Sequence, residues 1–105
     1  MNKTEQFITT FTEALSTMQQ TMEAKNHDYA SAGEDDPFFN FKQVENLGIT
    51  SVERGFLVRM TDKMTRLSSL LDREAKVLDE KLEDTVLDMA NYSVLLYSYL
   101  KTKSN

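Results

Sequence analysis

The stretch that decides the fold is residues 79–92, DEKLEDTVLDMANY. Glu80, Asp84 and Asp88 recur every four residues, so a helix here would carry three carboxylates in one row. The other side of the same helix carries an apolar stripe made of Leu82, Val86, Met89, Leu96 and Leu100. From about Val86 onward the helix is apolar nearly all round, which predicts that it is covered on both sides. The acidic row is then either a solvated charged face or a site where a metal or charged ligand offsets the cost of desolvation.

Apolar residues recur at helical spacing in three further segments. They predict a helix over residues 3–26, a short helix over 38–47 and a third long helix that ends near 72, before the last helix over 79–101. Residues 30–36, ASAGEDD, are small and acidic and predict a loop. No segment shows the alternation of a strand, so the sequence predicts an all-α bundle of three long helices and one short helix in a single domain, 1–105.

The predicted helix ends rest on known capping residues. Gly48 can adopt the left-handed conformation that closes a helix, and Gly55 permits close packing early in the third helix. The start signals are Asn2 with Glu5, Asp36 before Pro37, and Thr50 with Glu53.

Composition narrows the classes of function. The formal net charge of -5 argues against binding of nucleic acid polymers or anionic membranes, and no apolar run is long enough to span a membrane. The chain has no cysteine and only His27 as a histidine, so a metal site would use oxygen ligands, as Mg²⁺ or Mn²⁺ prefer. Small size and an apolar rear face on the last helix favour a homo-oligomer, and without a visible signal peptide we expect a cytoplasmic protein.

A second charged row lies on the third helix. Arg59, Asp62, Lys63 and Arg66 occupy positions i, i+3, i+4 and i+7, which share one helix face. Three cations around one carboxylate suit a phosphate clamp, in which arginine is the better bidentate donor. They equally suit ion pairs with the acidic row of the last helix, and the two interpretations do not exclude each other.

The first helix and the loop after it add polar and aromatic candidates. Lys25 and Asp28 are one turn apart, so they either address a common ligand or form an ordinary ion pair. Phe38, Phe39 and Phe41 either plug the end of the bundle or include one ring that stacks on a flat ligand, whose edge Asn40 could read.

These motifs resemble those of a known family, the phage-associated nucleotide modification associated domain 1 group, which context links to nucleotide metabolism. The similarity runs through four motifs in order: Lys25-x-x-Asp28-Tyr29, Asp36-Pro37-Phe38-x-Asn40-Phe41, Arg59-x-x-Asp62-Lys63-x-x-Arg66 and Asp79-Glu80-x-x-x-Asp84-x-x-x-Asp88-x-x-x-Tyr92. The chain is also distantly similar to the all-α nucleoside triphosphate pyrophosphatases of the MazG type. Those enzymes hold Mg²⁺ with acidic pairs on consecutive helices, whereas the acidic row of this chain lies on one helix.

The resemblance implies a Mg²⁺-dependent nucleoside triphosphate hydrolase or pyrophosphatase. Glu80, Asp84 and Asp88, with Asp62 or Asp28, would bind the metal and support catalysis. Lys25, Arg59, Lys63 and Arg66 would neutralise phosphate. The base would be held between Tyr29, Phe41 and Tyr92 and read by Asn40 or Asn91.

Two other hypotheses remain. The first is a non-catalytic oligomer that sequesters a nucleotide, including a cyclic or signalling one, to counter a host defence. The second is a structural or regulatory bundle in which the charged rows only pair across helices.

Overall fold

The described part of the chain forms four α-helices: α1 spans Lys3–Ser31, α2 Phe39–Asn46, α3 Val52–Asp72 and α4 Leu82–Lys103. The structure is a computed structural model and describes residues 1–31, 35–72 and 82–104, apart from the side chains of residues 28–31. No strand occurs within these ranges, which confirms the all-α prediction with three long helices and one short one. No helix in the described part of the chain is both long and apolar enough to cross a bilayer.

The chain divides into two compact units, Met1–Pro37 and Phe38–Asn105. The first unit contains α1, whose predicted N-cap is confirmed because the Glu5 N–H donates to Asn2 Oδ1 at 2.8 Å. The predicted end of this helix is wrong, since α1 continues past residue 26 to Ser31 and takes up the start of the predicted loop. The extension is reasonable because residues 27–31 contain no glycine or proline that would stop helix propagation.

The apolar stripe of α1 remains accessible. No side chain of α1 between residues 3 and 27 is buried. Its four largest exposed apolar side chains are Phe7, Ile8, Phe11 and Leu15, each more than half exposed.

The start of α2 differs from the prediction. We expected Asp36 as N-cap and Pro37 as the first helical residue, but α2 begins at Phe39 with Phe38 as N-cap and no side-chain hydrogen bond. Phe38 has φ -99° and ψ 6°, and its ring meets Tyr99 of α4 edge-on at 5.6 Å. The N-cap residue of α2 is therefore an aromatic side chain packed on α4, and not a polar side chain that accepts a hydrogen bond from the helix.

The predicted end of α2 at Gly48 is confirmed. Gly48 has φ 74°, the left-handed conformation that side chains with a Cβ rarely adopt. Its N–H donates to the Glu45 carbonyl at 3.0 Å, and the Ile49 N–H donates to the Val44 carbonyl at 2.8 Å. These two bonds form a Schellman motif, which satisfies the last carbonyls of the helix.

The cap of α3 lies one residue later than predicted. We expected Thr50 and Glu53 to form a capping box, but the Arg54 N–H donates to Ser51 Oγ at 3.2 Å. Glu53 instead forms an ion pair with Lys103 of α4 at 2.9 Å. The hydroxyl at position 51 stands three residues before the Arg54 N–H, which is the spacing that an N-cap requires.

The core of the second unit surrounds the first turns of α3. Val52 and Phe56 are 1% and 0% exposed. Phe56 stacks on Phe41 of α2 with ring centroids 4.0 Å apart and planes 11° apart. Gly55 makes the close approach of α2 possible, because a Cβ at this position would lie 2.9 Å from Val44 Cγ2.

Helices α3 and α4 pack antiparallel. Three contacts along their length show this: Glu53 with Lys103, Phe56 with Tyr99 at 6.3 Å, and Lys63 with Asp88 at 3.2 Å. Residues later in α3 therefore contact residues earlier in α4.

The predicted core stripe of α4 is wrong at three of its five positions. Leu82, Val86 and Leu100 are 36–47% exposed, while the buried residues of this helix are Thr85 and Asn91. Helix α3 packs against a neighbouring face of α4, the one that carries Asp88 and the aromatic residue Tyr99. Hydrophobicity alone did not indicate this rotation of the helix.

Candidate functional site

A pocket of about 250 Å³ opens where α3 and α4 lie side by side. Helix α3 contributes four charged side chains to it because their spacing places them on one helix face. Helix α4 contributes an aromatic side chain. The lining residues are Arg59, Asp62, Lys63, Arg66 and Tyr92.

The pocket is cationic on an acidic protein. Its lining side chains carry a net charge of +2, in contrast to the formal charge of -5 for the whole chain. Lys63 Nζ also contacts Asp88 Oδ2 at 3.2 Å, and the two side chains are 22% and 42% exposed. The carboxylate of Asp88 thus neutralises part of the positive charge of the pocket.

Aromatic contacts join the pocket to the core. Tyr92 meets Phe41 edge-on with centroids 6.1 Å apart, and the Arg59 guanidinium carbon lies 5.8 Å from the centre of the Phe41 ring. Phe56 covers Phe41 by parallel stacking. These contacts hold Arg59 and Tyr92 in place, because each is packed against a ring that is itself fixed by the core.

The structure brings seven of the predicted site residues together. Arg59, Asp62, Lys63, Arg66 and Tyr92 line the pocket, Phe41 supports it, and Asp88 pairs with Lys63. The predicted ion pairing between the two helices is present at Lys63 and Asp88, and the phosphate clamp stays a prediction.

Three other described residues of the second unit do not line this pocket. Asp84 is exposed in the first turn of α4, and Asn40 is exposed on α2. Asn91 is only 7% exposed and does not line the pocket. Lys25 is exposed on α1.

Three predicted residues lie outside what the structure describes. Asp28 and Tyr29 belong to the backbone of α1, but their side chains are not described. Glu80 lies in the range 73–81, between α3 and α4, which is also outside the described residues. The roles predicted for these three side chains stay predictions.

The described residues do not by themselves supply a set of ligands for Mg²⁺. Among residues 1–27, 35–72 and 82–104, no three His, Asp or Glu side chains come together as a metal site would need. Asp88, one of the predicted ligands, faces an ammonium group instead. The dependence on Mg²⁺ therefore stays a prediction.

Of the two alternatives predicted for Phe41, the structure favours packing against other helices. We expected this ring either to plug the end of the bundle or to stack on a flat ligand. Phe56 takes one of its faces, and Arg59 lies over the ring. Gly55 is the sequence signal for this packing, because a glycine one residue before Phe56 allows α2 to approach closely. Tyr92 is the aromatic residue that lines the pocket itself.

Comparison with known proteins identifies a family. Residues 25–97 match the family model described as "Nucleotide modification associated domain 1", a range that includes every pocket residue. No curated protein and no solved structure matches this chain. Because the family model covers most of the sequence, the chain belongs to the nucleotide modification associated domain 1 family.

Proposed function

We propose that this protein binds a nucleotide in the pocket between α3 and α4. The observation that carries the proposal is the convergence of Arg59, Lys63 and Arg66 beside Tyr92 on a chain of net negative charge. Guanidinium and ammonium groups are the side chains that bind phosphate oxygens best. Membership of a family whose description refers to nucleotide modification supports the same ligand class.

The pocket has room for the phosphate-bearing part of a nucleotide. Its volume of about 250 Å³ lies just below the ~300–1,000 Å³ that enclose whole drug-sized ligands. We expect the phosphates and part of the ribose to lie among the three cations. Tyr92 is half-buried, so its ring can pack against the sugar or the base at the mouth of the pocket.

Hydrolysis of the bound nucleotide is the second candidate function. The observation that favours it is that Asp88, a member of the acidic row, reaches Lys63 within the pocket. A carboxylate near bound phosphate could orient an attacking water or help to hold a cation. Sequestration of a cyclic or signalling nucleotide needs the same cations but no reaction.

A single experiment distinguishes these outcomes. Purified protein is titrated by calorimetry with nucleoside triphosphates, deoxynucleoside triphosphates and cyclic dinucleotides, with and without Mg²⁺, and each mixture is then analysed by chromatography. Saturable binding with intact nucleotide indicates capture, and release of phosphate or pyrophosphate indicates an enzyme. Absence of binding across the panel would contradict the proposal and leave a structural role.

Variants assign the binding to the pocket. We expect Arg66→Ala and Lys63→Ala each to weaken binding by about tenfold or more, because each removes a charged hydrogen-bond donor to phosphate. Arg66→Lys keeps the charge but loses the planar fork, so its effect is expected to be smaller. Lys3→Ala removes an exposed cation of α1 outside the family match and serves as the matched control.

A further inference from the structure

The α3–α4 pair has an exposed apolar face that the nucleotide pocket does not use. It carries three side chains from each helix, and they are 36–65% exposed. We call this surface the apolar face; its members are Leu57, Met64, Leu71, Leu82, Val86 and Leu100. So large a set of exposed apolar side chains on one side of two adjacent helices indicates an interaction surface.

The apolar face and the pocket lie on opposite sides of α3. Met64 and Arg66 are two residues apart, and two residues of an α-helix point in nearly opposite directions. Gly55, which contacts Val44 of α2, is likewise two residues from Leu57 and lies on the opposite side of the helix from it. A partner on the apolar face would therefore leave both α2 and the pocket open.

The spacing of the face is that of a helix bundle. On α3, Leu57, Met60, Met64, Leu67 and Leu71 alternate steps of three and four, and on α4 Leu82, Val86, Met89, Ser93, Leu96 and Leu100 do the same. Met60, Leu67, Met89 and Leu96 are half-buried, whereas the members of the apolar face are exposed. In a four-helix bundle such a seam points between two neighbours, so half of it is covered by one helix and half by another. The α3–α4 pair has the pattern of one half of such a bundle.

Charges of opposite sign border the two ends of the face. Arg54 stands one turn before Leu57, and Lys101 follows Leu100 at the same end of the antiparallel pair. Asp72 and Glu83 stand at the other end, next to Leu71 and Leu82. Arg54 and Asp72 are five helical turns apart, as are Glu83 and Lys101, so both members of each pair lie along one edge of their helix.

From this arrangement we infer that a second copy of this chain docks on the apolar face, antiparallel, to form a four-helix bundle. A two-fold axis perpendicular to the helices places the basic end of each copy against the acidic end of the other. Arg54 then faces Asp72 of the second copy, and Lys101 faces Glu83. A parallel arrangement would bring like charges together at both ends.

The positions of these charges agree with one common axis. The midpoint between Arg54 and Asp72 is Lys63, and the midpoint between Glu83 and Lys101 is Tyr92. Phe56 lies seven residues before Lys63, and Tyr99 lies seven residues after Tyr92. Because Phe56 and Tyr99 are in contact and the helices are antiparallel, the two midpoints lie at similar positions along the helix axes. Met64 and Ser93, which follow the midpoints and belong to the seams of their helices, would lie close to the axis.

The size of the surface is sufficient for a dimer. A helix of 21 residues is about 30 Å long, and two adjacent helices are about 20 Å wide, so each copy would bury roughly 600 Å². The total of about 1,200 Å² is the lower end of stable protein interfaces.

Engineered cysteines test the geometry, because the chain has none of its own. Near the two-fold axis, a cysteine in each copy would meet its equivalent, so we expect Met64→Cys to form a disulfide-linked dimer under mild oxidation. The control is Ser69→Cys, an exposed position one turn after Arg66 on the pocket side of α3. Equal cross-linking of the two variants would overturn the proposal.

Sedimentation equilibrium tests the charges. We expect the unaltered protein to be a dimer, Met64→Glu to be a folded monomer, and Arg54→Asp with Lys101→Asp to weaken association about tenfold or more. Adding Asp72→Arg and Glu83→Arg to the last variant exchanges the two ends and is expected to restore association. Two results would overturn the proposal. The first is a monomeric unaltered protein, in which no second copy covers the apolar face. The second is a dimer that persists in Met64→Glu.

Discussion

The first two turns of α3 and the remainder of the same helix are packed very differently. Val52, Gly55 and Phe56 are buried, whereas no residue from Met60 to Asp72 is buried. The second part carries the pocket cations on one side and the exposed Met64 and Leu71 on the other. The difference indicates that folding of the second unit depends mainly on the beginning of α3, while ligand binding depends on its middle, so the two can be altered separately.

The largest effect on stability is expected from Phe56→Ala. This change removes a ring that is 0% exposed and stacked on Phe41, and burial of this kind is worth about 3–5 kcal/mol. The free energy of unfolding from urea titration measures the loss. Val58→Ala, two residues away and 57% exposed, is the control and is expected to change it by less than about 1 kcal/mol. Equal losses in the two variants would show that burial of Phe56 is not the cause of the loss.

A smaller loss is expected from Gly55→Ala. The new Cβ would lie 2.9 Å from Val44 Cγ2, and such overpacking costs about 1–3 kcal/mol, while alanine regains about 1 kcal/mol of helix propensity. Urea titration of a double-mutant cycle with Val44→Ala isolates the steric term. In the Val44→Ala background we expect Gly55→Ala to be neutral or stabilising; a loss of the same size in both backgrounds would mean that the contact with Val44 is not the cause.

A change at Asp88 is expected to affect binding more than stability. Asp88→Asn removes the carboxylate that pairs with Lys63, a partly exposed ion pair worth less than about 1 kcal/mol. Lys63 is then available to phosphate, so we expect nucleotide affinity in the absence of Mg²⁺ to rise about two- to fivefold in calorimetry. A loss of affinity would instead show that Asp88 contacts the ligand or a cation bound with it.

The smallest effect is expected where the end of α4 meets the start of α3. The hydrogen bond from Lys103 lowers the pKa of Glu53, and the same bond raises the pKa of Lys103. The contribution of this pair is lost as the pH falls through the lowered pKa of Glu53, and again as it rises through the raised pKa of Lys103. Titration of the Glu53 carboxyl by NMR is expected to show a higher pKa in Lys103→Ala than in the unaltered protein, with Lys101→Ala as the control. An unchanged pKa in Lys103→Ala would contradict the contact.

The helices and part of the candidate site could be predicted from the sequence. Periodicity identified three long helices and one short one, and Asn2 and Gly48 marked two of their ends correctly. The spacing of Arg59, Lys63 and Arg66 was enough to place these cations on one helix face. Local patterns succeed here because hydrogen bonds within a helix and the direction of its side chains depend only on neighbours in the chain.

The sequence by itself therefore determined which segments are helical and which side chains share a face of one helix. Only the tertiary structure decided which face of α4 meets α3, and thus that Thr85 is buried while Val86 is exposed, and that Phe41 is held by Phe56. It also decided that Asp88 reaches Lys63. The physical reason is that several rotations of an apolar helix bury similar amounts of hydrophobic surface, and the choice among them depends on how aromatic rings and a glycine on other helices fit together.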